Sequence, residues 1–383
     1  MLAAPPFSYL ETLDRVDDAI ESNAELARAI VRHGLQSFGV VEDQGSAPAA
    51  VVPEEWAGIA KPQDLDKARS TIRQFYRDWS AEGAVEREAC YGPVFRTLDA
   101  ERERLKQKQA QKQAQKQAQN QSESAQQPQQ QQQPEEVEDQ EPMKILVPGA
   151  GLGRLVFELC RRGFLAEGNE ISYHQLLASS YVLNYTERAG QHAIYPWIHT
   201  FSNHRSRASQ FRSYAVPDVH PQGALSGAPP GTVGSMQMCA ADFLCLYGDD
   251  THRDAYDAVA AVFFLDTAPN LIRYLQVIHR CLRPGGLLIN VGPLLWHWEN
   301  HVQGHQGYDG DGEGEEEGGD SLGIADPGSF ELTDDEVVAL VERLGFIIEK
   351  HETDKEAPYV QDPNSMLRTV YRASHWVARK PEV

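Results

Sequence analysis

Three glycines and a carboxylate mark the segment of this chain that is best suited to bind a cofactor. Residues 145–170 have the sequence ILVPGAGLGRLVFELCRRGFLAEGNE, with Gly149, Gly151 and Gly153 in the pattern G-x-G-x-G and Glu170 at the end. Glycines let the backbone turn sharply toward a ligand, a following helix offers free N–H groups, and a carboxylate accepts hydrogen bonds from ribose hydroxyls. The segment therefore predicts a nucleotide-type cofactor site in an open α/β sheet.

The glycine spacing and the acidic residues that follow favour S-adenosylmethionine as the cofactor. G-x-G-x-G lacks the G-x-G-x-x-G that seats a pyrophosphate, which disfavours a nicotinamide dehydrogenase. Asp242 and Phe243 end the third predicted strand, and Asp266 directly follows the fourth. We predict that Glu170 binds the ribose hydroxyls, that Asp242 accepts from the adenine amino group, and that Phe243 contacts adenine through its ring or its backbone.

From residue 143 onward, short apolar runs alternate with helical patterns. Strands that alternate with helices form parallel sheets, so this part of the chain predicts an α/β fold. Strands are predicted at residues 144–147, 165–170, 236–241, 256–265, 287–292, 346–351 and 367–378, and helices at residues 152–162, 173–189, 271–282 and 333–344. With an antiparallel pair at its end, this is the seven-stranded, Rossmann-like sheet of class I methyltransferases, which we predict for residues 143–383.

Other regions flank or interrupt this sheet. Apolar residues recur at helical spacing within residues 9–20 and 65–79, so residues 1–105 are predicted to form an N-terminal helical subdomain that contributes to the cofactor site. Residues 106–142 are rich in Gln and then acidic, with no apolar face to bury, and are predicted to be a disordered or frayed-helical spacer. An acidic, Gly-rich loop is expected at residues 303–325.

Composition and charge bound the class of protein. A hydrophobic content of 41% is sufficient for a core in 383 residues. The formal net charge of −21 argues against a nucleic-acid-binding protein, because phosphate contacts need clustered Lys and Arg. Five cysteines without a C-x-x-C motif favour a reducing compartment, and no stretch approaches the ~18 apolar residues of a membrane span. We expect a soluble protein of the cytoplasm, with the nucleus as a further location, that binds neither nucleic acid nor membrane.

Several longer strings resemble the carnosine N-methyltransferase family. They include ILVPGAGLGRL, GNEIS, YPWIHTFSNHRS, FFLDTAPN, LRPGG and NVGPLLWHWEN, together with RQFYRDWSAEG before the spacer and SMLRTVYRASHWVARKP near the C-terminus. Enzymes of that family methylate the histidine ring of the dipeptide carnosine, β-alanyl-histidine, to give anserine. The resemblance therefore implies an S-adenosylmethionine-dependent N-methyltransferase with a small dipeptide substrate.

The resemblance also implies roles for individual residues. Gln74 and Arg77 match cofactor-binding residues of the family, and an arginine suits the carboxylate at the methionine end of the cofactor. Asp266 and His297 match residues that hold and deprotonate the imidazole ring, and Tyr371 would add a phenol hydrogen bond. Tyr359 is a further substrate-lining candidate, and the predicted cofactor contacts also include Gly149, Gly151, Glu170, Asp242, Phe243 and Val262.

The chemistry of an imidazole nucleophile explains why a carboxylate belongs in such a site. One ring nitrogen must keep its proton so that the other can offer its lone pair. Asp266 and His297 both follow predicted strands and would meet at the carboxyl edge of the sheet, where ligands bind in open α/β folds. A hydrogen-bond acceptor at that edge would select the reactive tautomer and stabilise the cationic ring formed on methylation.

Several alternatives stay open on the sequence alone. The acceptor could instead be a histidine of another peptide or protein, or the chain could be a non-catalytic scaffold that retains the methyltransferase fold. His297 and His301 are four residues apart but do not form H-E-x-x-H, so no metal site is predicted. The sequence does not determine the oligomeric state, for which a homodimer is one alternative.

Overall fold

A seven-stranded sheet organises the described part of the chain, which comprises residues 1–38, 58–124, 141–299 and 330–382 of the computed structural model. The strands are, in chain order, β1 (Lys144–Pro148), β2 (Leu165–Glu170), β3 (His192–Ile194), β4 (Tyr214–Val216), β5 (Ser235–Ala240), β6 (Tyr256–Val262), β7 (Leu282–Gly292), β8 (Ile347–Pro358) and β9 (Val370–Arg379). The sheet has the order β5-β2-β1-β6-β7-β9-β8, whereas β3 and β4 form a separate antiparallel pair.

The direction of the strands follows the prediction. The first five strands in sheet order, β5, β2, β1, β6 and β7, are parallel, and β9 is antiparallel to both β7 and β8. The α/β class and the seven-stranded sheet with a terminal antiparallel pair are therefore confirmed. β2 has the predicted bounds, whereas β7 begins at Leu282 rather than at residue 287 and β8 continues to Pro358 rather than ending at residue 351.

Ten helices surround the sheet in the described residues. They are α1 (Tyr9–Ser37), α2 (Pro62–Trp79), α3 (Ala84–Ser124), α4 (Arg154–Arg161), α5 (Tyr173–Asn184), α6 (Arg207–Gln210), α7 (Pro221–Ser226), α8 (Phe243–Tyr247), α9 (Leu271–Cys281) and α10 (Asp334–Arg343). One core layer joins α9 and α10 to the sheet through residues such as Leu275 and Val341, and another joins α3 and α4 to it through residues such as Leu98 and Leu159. Both faces of the central strands are consequently covered, as parallel strands require.

Helix α2 attaches the N-terminal part to the sheet domain. Its apolar side chains Ile72, Phe75 and Trp79 are buried in a core shared with α4 and α5, and the Trp79 indole N–H donates to the backbone oxygen of Leu152 at 3.1 Å. Removing a buried Trp side chain costs ~3–5 kcal/mol, so this attachment is firm. This attachment gives the polar side of α2, which faces away from the shared core, a fixed position relative to the glycine turn.

Helix α1 is present as predicted, but the face that it buries is not the face on which most of its large apolar side chains lie. Leu10, Leu13 and Ile20 are exposed, whereas Val16 and Leu26 are buried. The buried face also carries small and polar residues such as Asn23, whose amide donates to the backbone oxygen of Tyr195 at 3.0 Å. Tertiary hydrogen bonds of this kind are invisible to a hydrophobic pattern.

The predicted spacer is partly helical. Helix α3 continues without interruption to Ser124, so it crosses the expected boundary at residue 105 and includes residues 106–124 of the Gln-rich tract. Gln, Lys and Ala have high helix propensity, and propagation from a helix that is already anchored avoids the cost of nucleation. An apolar face was therefore not needed. Residues 125–140 and the expected acidic loop, residues 303–325, lie outside the described residues.

Candidate active site

The glycine turn between β1 and α4 adopts a conformation that only glycine takes readily. Gly149, Gly151 and Gly153 have φ values of +65°, +56° and +75°. A Cβ added to Gly149 would lie 2.8 Å from the ring of Phe264, and one added to Gly151 would lie 3.2 Å from the amide oxygen of Gln175. These three positions therefore form a sharp turn in which a side chain would be strained, and the approach to a cofactor stays a prediction.

Glu170 closes this turn from the end of β2. Its Oε2 accepts from the Gly151 N–H at 2.9 Å, and its Oε1 accepts from the Ile171 and Ser172 N–H groups at 2.9 and 2.8 Å. A carboxylate has about four acceptor positions, so one position on Oε2 remains for a ligand hydroxyl. The side chain is thus both a brace of the glycine turn and a hydrogen-bond acceptor directed at its crevice.

Asp242 and Phe243 follow β5, where they begin α8. The Asp242 Oδ1 accepts from the Cys245 N–H at 3.0 Å and caps this helix, which leaves Oδ2 for a donor such as an amino group. The Phe243 ring is only 3% exposed, and it packs against Phe264 and Tyr274 with centroid distances of 5.5 and 5.2 Å. Neither of the two contacts predicted for Phe243, through its ring or through its backbone, is distinguished by this burial, which applies to the whole residue.

Arg77 reaches the glycine turn from α2 and is held there by its neighbour. Its Nε and Nη2 donate to the two oxygens of Asp78 at 2.8 and 2.9 Å, and the Tyr91 hydroxyl donates to the same carboxylate at 3.2 Å. Asp78 is 1% exposed. This fork occupies one edge of the guanidinium and leaves the Nη1 edge for a second carboxylate. The residues that line a common cavity include Arg77, Gly149, Gly151, Val262, Phe263 and Tyr359.

Gln74 lies one helical turn before Arg77. Its amide oxygen is buried and has no hydrogen-bond partner among the described residues. Leaving a buried acceptor unpaired costs ~1–3 kcal/mol, so a ligand donor such as an ammonium group would complete this position. The pair therefore offers an acceptor and a cation, which fits the two charges of an amino acid moiety.

Asp266 follows β6 and is anchored to the segment after β7. It is 4% exposed, and its Oδ2 accepts from the Leu295 N–H at 3.0 Å. The His297 N–H donates to the backbone oxygen of Asp266 at 3.1 Å, and the His297 side chain is exposed. Burial raises the pKa of the Asp266 carboxyl, whereas the Leu295 hydrogen bond and His297 act in the opposite direction. A desolvated carboxylate and an exposed imidazole thus lie near each other, linked through their backbones, at the carboxyl edge of the sheet.

Three aromatic side chains, Phe263, Tyr359 and Tyr371, form a group that we call the aromatic wall. The Phe263 ring stacks on Tyr359 at a centroid distance of 5.2 Å and meets Tyr371 edge-on at 5.8 Å, and the two tyrosines are 5.7 Å apart. Burial, Tyr359 and Asp266 all raise the pKa of Tyr371. The aromatic wall therefore extends from the cavity at the glycine turn toward the Asp266 carboxylate.

The structure brings several of the predicted site residues together, and their individual roles stay predictions. Arg77, Gly149, Gly151, Val262 and Tyr359 line one cavity, and Glu170 is bonded to the Gly151 N–H. Tyr371 lies against Tyr359 and near Asp266, whereas Gln74 and Asp242 are not among the residues that line this cavity. Sequence reasoning missed Phe263, Asp78 and Glu86, which also contribute to this region. Phe263 has a detectable signal, because it stands between Val262 and Asp266 at the end of a buried strand; the two carboxylates have none.

Neither a cluster of metal-ligating side chains nor a membrane-spanning helix is present in the described residues. No group of three or more His, Cys, Asp or Glu side chains within them is arranged to hold a metal ion, and His301 lies outside these residues. No helix in the same ranges is long and apolar enough to cross a membrane.

The fold and the site together define a class of protein. A sheet of order β5-β2-β1-β6-β7-β9-β8 with β9 antiparallel, a glycine turn after β1, and acidic residues after β2, β5 and β6 is the arrangement of class I methyltransferases. The family model described as carnosine N-methyltransferase matches residues 54–116 and 111–382. The chain therefore belongs to the carnosine N-methyltransferase family, whose members are methyl-transferring enzymes.

Individual relatives agree with this assignment. The carnosine N-methyltransferase of Mus musculus is 33% identical over 370 residues, which cover 97% of this chain and 75% of the mouse protein. The Schizosaccharomyces pombe enzyme of the same name is 32% identical over 372 residues, or 97% of this chain and 83% of the yeast protein. Among solved structures, 1,6-didemethyltoxoflavin-N1-methyltransferase of Burkholderia thailandensis is 16% identical, with a TM-score of 0.36, over 89% of this chain and 98% of that one.

Proposed function

We propose that this chain is an S-adenosylmethionine-dependent N-methyltransferase that methylates the imidazole ring of carnosine to give anserine. The observation that carries the proposal is the buried Asp266 carboxylate, held by Leu295 at the same sheet edge as the glycine turn. Membership of the carnosine N-methyltransferase family supports the choice of acceptor.

The residues around the glycine turn fit this cofactor. Glu170 has an acceptor position for a ribose hydroxyl, and the unpaired Gln74 oxygen and the open edge of Arg77 fit the ammonium and carboxylate of a methionine moiety. S-adenosylmethionine supplies, when bound, an electrophilic methyl group on a sulfonium. The contribution of this chain is to fix the position and protonation state of the acceptor.

Asp266 selects the reactive form of the acceptor ring. A carboxylate that accepts the N–H of a neutral imidazole leaves the other ring nitrogen with its lone pair exposed. The hydrogen bond strengthens as the ring gains positive charge, so it stabilises the transition state more than the ground state. The proton that the methylated ring must release is the one that faces Asp266, so this carboxylate accepts it first, and the exposed ring of His297 beside Asp266 passes it to solvent.

A direct assay tests the proposal. Purified protein is incubated with methyl-labelled S-adenosylmethionine and carnosine, and anserine is quantified by mass spectrometry. β-Alanyl-alanine, which has the same peptide and no imidazole, is the matched control. We expect label in anserine and none in the control. Binding of S-adenosylhomocysteine by calorimetry without anserine formation would overturn the acceptor assignment, and absence of binding would overturn the cofactor assignment as well.

A further inference from the structure

A buried carboxylate on α3 holds the loop that carries Tyr359. Glu86 is 4% exposed, and its Oε2 and Oε1 accept from the N–H groups of Val360 and Gln361, both at 2.7 Å. Val360 lies 274 residues after Glu86 in the sequence and directly follows Tyr359, which is the first residue after β8. One side chain of the N-terminal part thus binds two consecutive amides next to the acceptor side of the site.

Val360 has a backbone conformation that needs such a restraint. Its φ is +47°, in the left-handed region, which is a genuine outlier for a β-branched residue. Strained residues of this kind persist where the surroundings fix them, and they cluster at functional sites. Because both Glu86 oxygens accept from amides on either side of the Val360 α-carbon, the carboxylate stabilises this conformation directly.

The conformation of Val360 sets the position of the Tyr359 ring. That ring stacks on Phe263 with an interplanar angle of 27° and lies 5.5 Å from the guanidinium carbon of Arg77. Phe263 itself has a φ of +53°. Two rings of the aromatic wall are therefore presented to the cavity by strained backbone, Phe263 by its own and Tyr359 by that of its neighbour.

We propose that Glu86 is a positioning residue of the acceptor site: it holds Val360 in the left-handed conformation and thereby fixes Tyr359 against Phe263. The role of this wall in binding the acceptor rests on the proposed function. A carboxylate that only stabilised the fold would have the same burial, so the experiment must separate the two roles.

Glu86→Gln is the informative variant, because one of the two backbone N–H groups, that of Val360 or of Gln361, then faces the side-chain NH₂ group of the glutamine instead of a carboxylate oxygen. We expect about a tenfold rise in the KM for carnosine, equivalent to ~1.4 kcal/mol, and a smaller rise in the Kd for S-adenosylhomocysteine, because Tyr359 also lines the cavity at the glycine turn with Arg77. Glu88→Gln, on the same helix but exposed and paired with Arg96, is the matched control and should leave both constants unchanged. An unchanged KM for carnosine in Glu86→Gln, with wild-type turnover, would overturn the proposal.

A double variant separates positioning from general stabilisation. Glycine adopts left-handed φ values without strain, so in a Val360→Gly background the Glu86→Gln substitution should raise the KM for carnosine less than it does alone. Equal effects in both backgrounds would contradict the proposal. Glu86→Asp is used if Glu86→Gln does not fold. It shortens the side chain by one methylene and so moves the carboxylate away from the two amides, and it should show the rise in the KM for carnosine. A wild-type KM in Glu86→Asp would count against the proposal.

Hydrogen exchange gives a readout that does not need activity. In Glu86→Gln, the Val360 and Gln361 amides should exchange at least tenfold faster than in the wild type, while amides of β1 should be unaffected. Unchanged exchange at both amides would refute the restraint itself. Failure of the wild-type protein to form anserine would refute the proposed function but leave this test of Glu86 intact.

Discussion

Asp266→Asn tests the central assumption about the acceptor site. Asparagine has nearly the same shape, and its oxygen can still accept from the Leu295 N–H, as Oδ2 does in the native chain at 3.0 Å. The NH₂ group then occupies the place of the other carboxylate oxygen. A donor would face the N–H of the acceptor ring, so the reactive tautomer would lose its partner.

The size of the effect follows from the kind of hydrogen bond that is lost. A hydrogen bond to a charged group contributes ~1.5–3 kcal/mol, and each ~1.4 kcal/mol changes a rate constant tenfold. We therefore expect kcat/KM for carnosine to fall by roughly 10- to 150-fold. Binding of S-adenosylhomocysteine should be unchanged, because Asp266 lies on the acceptor side of the cavity.

Stability should change in the opposite direction to activity. Burial raises the pKa of Asp266 in the folded protein, opposed by Leu295 and His297. A raised folded-state pKa means that the stability associated with this group is present at low pH and is lost as pH rises through that pKa. At neutral pH the ionised carboxylate therefore destabilises the fold, and its replacement by a neutral amide should leave the melting temperature unchanged or raise it.

The assay combines initial rates, calorimetry and thermal unfolding on the same preparation. Asp354→Asn is the matched control, because Asp354 is exposed and paired with Arg372 on the β8–β9 hairpin. We expect it to retain full activity. A fall in kcat/KM of less than threefold in Asp266→Asn, or a loss of activity that accompanies a lower melting temperature, would refute the role assigned to this carboxylate.

Three further substitutions test other parts of the structure. Asp78→Asn should raise the KM for S-adenosylmethionine about tenfold and leave that for carnosine unchanged, because the fork that orients Arg77 is broken; equal changes in both constants would argue against it. Gly151→Ala forces a side chain into φ +56°, so it should lower the free energy of unfolding by ~1–2 kcal/mol and abolish the thermal shift produced by cofactor. Burial would raise the pKa of Glu101, but hydrogen bonds from Arg104 and Arg379 lower it to about 2. The stability that the ionised Glu101 gives the fold is therefore complete above pH 4.5 and lost toward pH 2. Glu101→Gln should lower the free energy of unfolding in urea by up to roughly 3 kcal/mol at pH 7 and by much less at pH 3. An equal loss at both pH values would contradict the assignment.

Strands β1, β6 and β7 at the centre of the sheet could be predicted because they are apolar on both faces. Residues such as Val259 and Leu288 are fully buried, and a continuous apolar run between turn residues indicates such a strand. β3 and β4 have only three residues each, which is too short for a periodic signal, and they escaped prediction. The exposed apolar side of α1 and the helical Gln-rich tract differed from expectation because tertiary contacts and propagation from an anchored helix decided the outcome.

Some residues of the candidate site could be predicted from the sequence next to them, and others depend on contacts between distant parts of the chain. Gly149 directly follows β1, Glu170 is the last residue of β2, and Asp266 lies four residues after β6, so the rule that ligands bind at the carboxyl edge of a parallel sheet locates them. Tyr359 and Tyr371 were proposed only through the family resemblance. Glu86 could not be found from sequence because its two partners are amides whose positions depend on the folded hairpin.

The interior position of β9 has a consequence for biosynthesis. In the described sheet β8 pairs with β9 alone, yet β8 emerges from the ribosome first. It must wait without a hydrogen-bonding neighbour until the following strand is made and inserts beside β7. The parallel half of the sheet, with the glycine turn and Asp266, is synthesised earlier, so Tyr371 on β9 is the last of the predicted site residues to leave the ribosome. Because β9 also supplies Trp376 and Val377 to the core on the two faces of the sheet, completion of the site and completion of the core depend on the same strand.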